Sequence, residues 1–420
     1  MKSNSLIFFS NFNLSYSDII KAVFLNLIIL IVTYILFVIF TRHLLIPDPT
    51  SLLRYDANHY CNIKNNGYTF NENYGSSVAF FPGFPYLWKL TNLGIRQISI
   101  LNLFIFLGSF VFLCKQFAHN VEDILLFLSL PTIMFMYVPY SEALFFVPSV
   151  LLLIGLKKRI TWLIMMSLFL CSLCRSAANV FIPAIIITEI ISYQNPSRIK
   201  NILLYILSSL SGIFLVALLQ YSQTRQWLGF ITTQKNWEVR LRMPNLPFHT
   251  WGDMQHLDGP TLLAGLVCCG IMIILFWDFI YKKVHQPNKA FIFSLLYVSG
   301  LTLFTIAFKG GNLFSLNRYI IPTAFFFVIF STLIWQKKFT WKEVGLYGLI
   351  IFAFWLSIGS YAHIRVLIGF FLLTLYLILY MLINNDSKKI ANISFYLLYG
   401  INIVLQVHFL FKFLDNKWIG

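Results

Sequence analysis

Long apolar runs dominate the chain, and short polar breaks separate them. The first runs from Ile19 to Phe40. At 1.5 Å rise per residue its roughly 22 residues make about 33 Å of helix, enough to cross a bilayer. No small-residue cleavage site follows it, so it reads as a retained first transmembrane helix. Further runs lie at 97–114, 121–138, 142–156, 160–173, 177–191, 201–220, 261–281, 290–308, 319–335, 343–361, 364–383 and 394–411. Several are near or below the usual lower limit for a span, so the pattern predicts 11–13 transmembrane helices. The fold class expected is an all-α polytopic membrane bundle, one integral-membrane domain over residues 1–420. Two long polar interruptions break it, at 41–96 and 221–260.

Composition agrees. Of 420 residues, 58% are hydrophobic and 11% charged, where a soluble domain carries about 25% charged residues. The net charge of +16 comes from Lys and Arg spread over many short loops. That is the positive-inside pattern and not a nucleic-acid-binding face. With strict alternation over thirteen spans, Lys157-Lys158-Arg159, Arg198/Lys200, Lys282-Lys283 with Lys289, Lys337-Lys338 with Lys342, and Lys388-Lys389 all fall on one side with the N-terminus. That side is expected to be cytoplasmic, which puts both long loops and the C-terminus outside. A re-entrant hairpin at 142–173 is the competing arrangement, and it would bury three cations at membrane depth. The six cysteines suggest neither a disulfide framework nor a zinc site. Mid-span ionisable residues are scarce, which argues against an ion-coupled transporter.

The candidate chemistry lies in the first long loop. Asp48 and Pro49 form a helix-start signal, and Asn65-Asn66-Gly67 a stop with Gly67 at the C-cap. The pattern predicts one short interfacial helix between them, apolar side down, with Leu52, Tyr55, His59 and Ile63 near one face and Asp56 with Tyr60 beside it. A carboxylate at a water–lipid boundary suits proton abstraction from an attacking hydroxyl. A solvated loop Asp paired with Arg54 is the plain structural alternative, and Asp56 with His59 gives too few ligands for a metal. Two prolines in Phe80-Phe81-Pro82-Gly83-Phe84-Pro85 are expected to forbid a regular helix and to make a stiff wall beside Asp56.

These residues carry a family resemblance. Arg54-Tyr55-Asp56-x-x-His59-Tyr60-x-x-Ile63-x-x-x-Gly67-Tyr68, followed by Ala79-Phe80-Phe81-Pro82-Gly83-Phe84-Pro85, resembles the signature of the PIG-V-like mannosyltransferases, which belong to the GT-C class of integral-membrane glycosyltransferases. Weaker likenesses continue at Pro139-Tyr140-Ser141-Glu142, Arg175-Ser176-Ala177, Gln234-Lys235-Asn236-Trp237 and Asn317-Arg318-Tyr319. The family's usual Trp before the Asp is Tyr55 here.

The resemblance implies a polyprenyl-phosphate sugar as donor, mannose by analogy, and a lipid or glycan acceptor. It also implies an extracytoplasmic active site and an inverting displacement with Asp56 as general base. No cofactor is implied beyond the lipid-linked donor, and membrane lipids are the surroundings. The membrane expected is a bacterial inner membrane, with the endoplasmic reticulum as alternative. Substrate-binding candidates in the motifs are Arg54, His59, Tyr60, Phe81, Pro82, Glu142, Arg175, Gln234, Trp237, Arg240, Arg318 and Tyr319. Arg175 and Arg318 are the leading candidates for the departing phosphate, because an Arg can hold it bidentately. Arg240 and Arg242 are the others. Glu142 at a helix start equally suits a favourable dipole contact, and Trp237 equally suits anchoring at the interface. A lipid or glycan transporter and a polymerase or ligase for lipid-linked glycans stay open as alternatives.

Overall fold

A computed structural model of the chain describes residues 14–42, 46–72, 75–192, 197–251, 254–286, 288–359 and 364–419. Helix α1 (Tyr16–Thr41) starts at Ser15, whose hydroxyl caps Asp18, and ends at a left-handed Arg42. The first long loop then holds α2 (Pro49–Leu52), α3 (Asp56–Asn66) and α4 (Gly83–Thr91). After it come α5 (Ile95–Phe117), α6 (Val121–Ser129), α7 (Glu142–Lys158), α8 (Thr161–Cys174), α9 (Phe181–Ile191) and α10 (Arg198–Thr224). The second loop contains the one-turn α11 (Gly229–Thr232) and leads to α12 (Gln255–Lys282). The chain closes with α13 (Lys289–Phe308), α14 (Leu316–Ile320), α15 (Ala324–Ile334), α16 (Trp341–Trp355), α17 (Ile364–Leu382) and α18 (Lys388–Leu414). Among the described residues only isolated β-bridges interrupt this all-helical architecture.

The protein is an all-α polytopic membrane protein. Among the described residues six helices are long and apolar enough to cross a bilayer alone, namely α1, α5, α10, α12, α13 and α18. Shorter apolar helices fill the remaining runs, among them α8, α15 and α17. A 14-residue helix such as α8 reaches only about 21 Å. The expected 11–13 spans therefore resolve into six full-length helices and a set of shorter ones. One continuous apolar core runs from Ile19 of α1 to Phe370 of α17. The outer faces of α1 and α10 leave large apolar side chains exposed, including Phe24, Phe40, Leu207 and Phe214, as a lipid-facing surface does.

Three local expectations are corrected. The run 121–138 is not one helix. It breaks at Leu130, and a 3-10 segment Pro131–Met136 follows. Pro131 lacks an N–H, and its ring disfavours helical backbone in the residue before it. The carbonyls freed there are met by side chains from elsewhere. Gln406 donates to Leu128 O and Leu130 O at 3.2 and 3.1 Å, and Asn102 donates to Val138 O and Tyr140 O at 2.7 and 2.9 Å. Irregular backbone inside a membrane bundle needs such partners.

The loop helix expected from Asp48 to Gly67 is also two helices. Asp48 caps Ser51 in a reciprocal capping box, and α2 ends after one turn. Tyr55 then takes φ +48° before α3 starts at Asp56. Gly67 closes α3 at φ +79°, with its N–H on Ile63 O. Lastly, the proline knot does not forbid a helix. Pro82 caps α4 and Pro85 lies in its first turn, where a missing N–H costs nothing.

Gln406 generates a prediction. Gln406→Leu should lower stability in detergent by about 1–3 kcal/mol, because Leu128 O loses its side-chain donor and Leu130 O keeps only the Ile133 N–H. Val404→Leu on the exposed face of the same helix should leave the unfolding midpoint unchanged. Equal midpoints for Gln406→Leu and the parent protein would remove this account of the break.

Candidate functional site

The helix ends around the first loop converge on one chain of charges. Asp56 sits in the first turn of α3, its side chain 15% exposed, and its Oδ2 accepts from an Arg318 Nη2. Arg318 lies on α14, and its Nε is 2.8 Å from Glu142 Oε1 at the start of α7. Arg175, at the junction after α8, places Nη1 3.1 Å from the same oxygen. Glu142 is fully buried and both arginines nearly so. Neither Glu142 oxygen has a well-aligned hydrogen bond, so charge at short range holds it in place. Two carboxylates and two guanidiniums cancel, which is how buried charges become tolerable.

Aromatic faces insulate the chain of charges. The Arg318 guanidinium lies 5.0 Å from the Tyr140 ring, and Arg175 5.0 Å from the Tyr319 ring. Contacts of this kind add cation–π attraction in a desolvated place. Further anchors fix the backbone. Asp258 of α12 accepts from Asn317 N at 3.0 Å and Asn317 Nδ2 at 2.7 Å, next to Arg318. Tyr60 donates to Ser141 Oγ at 2.9 Å, beside Glu142.

A cavity of about 130 Å³ opens against this charge chain. Eight of the sequence candidates line it: Asp56, Tyr60, Phe81, Arg175, Gln234, Trp237, Arg318 and Tyr319. Glu142 stands behind the lining and pairs both arginines. On α3 the expected apolar face of Leu52, Tyr55, His59 and Ile63 is replaced by another. Ala57, Tyr60 and Ile63 are buried, and Asp56 faces the helix ends of the bundle.

Besides Glu142, four of these candidates fall outside the cavity lining. Arg54 does not pair with Asp56; its carbonyl starts α3 by accepting from Ala57 N. His59 stacks on Phe80 with ring centroids 4.6 Å apart and meets the Trp237 edge at 6.0 Å, so it props the aromatic wall. Burial holds the His59 imidazole below its ordinary pKa, with Asp56 acting in the opposite direction. Pro82 caps α4 behind Phe81. Arg240 is exposed, and its backbone N–H bonds Phe308 O at 2.8 Å; it is removed from the site.

Sequence reasoning missed several lining residues. Lys309, Trp251, Phe314, Ser315 and Trp418 complete the wall. Trp418 packs edge-on to Tyr55 at 4.9 Å, and Trp251 stacks on Phe314 at 4.4 Å. Only Lys309 carried a signal, as a lone cation after an apolar run. Among the described residues no group of three or more His, Cys, Asp or Glu is placed to hold a metal ion.

No protein-family model matches the chain, and no curated protein or solved structure matches it.

The charge chain can be tested by a double-mutant cycle. Glu142→Gln should cost about 3–5 kcal/mol of stability, because two buried guanidiniums lose their shared counter-charge. In an Arg175→Met background the same change should cost less, since Asp56 and Arg318 still cancel. Equal costs in both backgrounds, measured by chemical unfolding in detergent, would mean that the two residues are not coupled.

Proposed function

We propose that this protein is a membrane glycosyltransferase that moves a sugar, mannose by analogy, from a polyprenyl-phosphate carrier to a lipid or glycan hydroxyl. The observation that carries the reading is the placement of Asp56. It is a partly exposed carboxylate held by a buried guanidinium at the wall of an aromatic-lined cavity. A general base needs this arrangement, a fixed carboxylate with access to a substrate proton. The likeness of Arg54–Tyr68 and Ala79–Pro85 to the PIG-V-like signature supports the same assignment.

In this reading the acceptor hydroxyl attacks the sugar's anomeric carbon while its proton passes to Asp56. The bond from that carbon to the phosphate oxygen breaks, and its electron pair leaves with the lipid phosphate. Attack and departure on opposite faces invert the anomeric centre. Arg318 orients the base, and the cationic side of the cavity favours the charge that grows on the phosphate. Trp237 and Phe81 offer ring faces and edges to the sugar. The loops that carry the site lie on the extracytoplasmic face, and the N-terminus is cytoplasmic, following the distribution of Lys and Arg.

The test is transfer by purified protein from a polyprenyl-phosphate sugar. Asp56→Asn should reduce turnover by about 10²–10⁴-fold, and it should also lower the unfolding midpoint, because Arg175 and Arg318 then share Glu142 alone as counter-charge. Survival of transfer in that variant would rule out Asp56 as the base. Consumption of an oligosaccharide-diphosphate lipid instead of a monophosphate sugar would identify a polymerase or ligase. Lipid movement across liposomes without any sugar transfer would identify a transporter.

A further inference from the structure

The arginines expected to meet a phosphate are already occupied by carboxylates. Arg318 contacts Asp56 and Glu142, and Arg175 contacts Glu142. The remaining cation of the cavity is Lys309, just past the last turn of α13. It is 5% exposed. Its Nζ donates to Phe314 O at 2.9 Å and sits 3.7 Å from the centre of the Phe314 ring. Among the described residues no carboxylate lies within ion-pair distance of it. Asp56 and Glu142 cancel Arg175 and Arg318, so the acidic neighbour left to a protonated Lys309 is Asp258, which lies beyond ion-pair distance and is already engaged by Thr250 and Asn317. A buried charge of that kind is costly unless an anion arrives.

The loop is built to present this ammonium. Gly310 and Gly311 take φ +59° and +91°, and Ser315 takes φ +64°. The second long loop clamps it by backbone pairing, with Asn245 N on Gly310 O, His249 N on Gly311 O and Leu313 N on His249 O. Arg242 Nη2 donates to Lys309 O at 2.7 Å.

We infer that Lys309 is the phosphate-binding group of this cavity, and that an anionic lipid phosphate binds together with a proton taken up by Lys309. The inference rests on the proposed use of a polyprenyl-phosphate donor and adds which residue receives its charge. The step is a protonation only. Neutral Lys309 gains one proton from water as the anion enters, and no covalent bond to the ligand forms.

Several charged groups act on Lys309. From α12 comes Asp258, engaged with Thr250 and Asn317. From α14 come Arg318 and Tyr319, with the Tyr319 ring 5.3 Å from the ammonium. The second loop contributes Arg242 and the exposed His249, while Asp56 and Arg175 share the cavity. Burial pushes the Lys309 ammonium down to about 7, Asp258 acts against that shift, and Arg318 adds to it. The empty site therefore loses its charge at Lys309 progressively as pH rises above about 7. An anion favours the protonated form, so affinity is full below this pKa and declines as pH rises above it.

Farnesyl methyl phosphate is a suitable probe. It is a prenyl phosphodiester that does not itself titrate near neutrality. Calorimetric titration of the detergent-solubilised full chain at pH 8, in buffers of different ionisation enthalpy, reads the protons taken up. The wild type should take up most of one proton and lose affinity by about tenfold per pH unit above pH 8. Lys309→Arg, always charged, should bind without proton uptake and with nearly flat pH dependence. Lys309→Met should bind at least tenfold more weakly, and His59→Gln should keep the wild-type uptake.

Uptake that persists in Lys309→Met, or wild-type heats that do not vary with buffer, would overturn the inference. So would failure of the wild type to bind the diester. The glycosyltransferase reading is judged separately, by sugar transfer in the wild type and in Asp56→Asn. Asp56→Asn should still show the proton uptake.

Discussion

Charges removed from water must be compensated within the protein, and the architecture at the site end of the bundle follows from that requirement. Asp56, Glu142, Arg175 and Arg318 come from four distant stretches, and the Asp56–Arg318 pair alone bridges 262 residues. None of the four can be buried singly without a penalty of several kcal/mol. Their mutual pairing therefore requires α3, α7, α14 and the end of α8 to meet at one point. The aromatic rings of Tyr140 and Tyr319 lower the local polarity, which strengthens each attraction. Asp258 and Asn317 extend the same logic one step outward, by fixing the turn that carries Arg318.

Short helices and broken backbone are the structural counterpart of that convergence. A continuous span would carry its ends past the site. Pro131 instead stops α6 early, and the chain then turns through the 3-10 segment toward Ser141 and Glu142. The polar atoms exposed by the turn are returned to hydrogen bonds by Asn102 and Gln406. Tyr55 has a comparable role in the loop. Its positive φ turns the chain so that Asp56 opens a new helix, and Trp418 and Phe413 hold the Tyr55 ring at 4.9 and 6.3 Å.

Much of this was legible from residue pattern. Alternating apolar runs gave the membrane character and the approximate helix positions. The site candidates drawn from the Asp56 motif and four weaker motifs include eight of the cavity-lining side chains, although nothing local in sequence says that Arg175 and Arg318 share Glu142. Lys309 was hidden because one lysine after an apolar run looks like an ordinary helix flank. Asp258 sat in a polar stretch that reads as loop, and Trp418 lies 363 positions from the Tyr55 ring it contacts. Arg240 was chosen by charge alone, and charge does not reveal which side of an extended segment meets solvent. The break at Leu130 had a local cue in Pro131, while its compensation by Gln406 was invisible.

Between Arg240 and Phe248 the second loop is attached largely through its main chain. Arg240 and Arg242 N–H groups bond the last carbonyls of α13, and Phe248 pairs with Ser357 and Gly359 after α16. Leu241, Met243 and Leu246 between these bonds are largely exposed. These three exposed side chains can be exchanged freely, because the main-chain bonds on either side of them do not depend on their identity. The stretch 241–246 is thus open to divergence while the charge chain stays fixed.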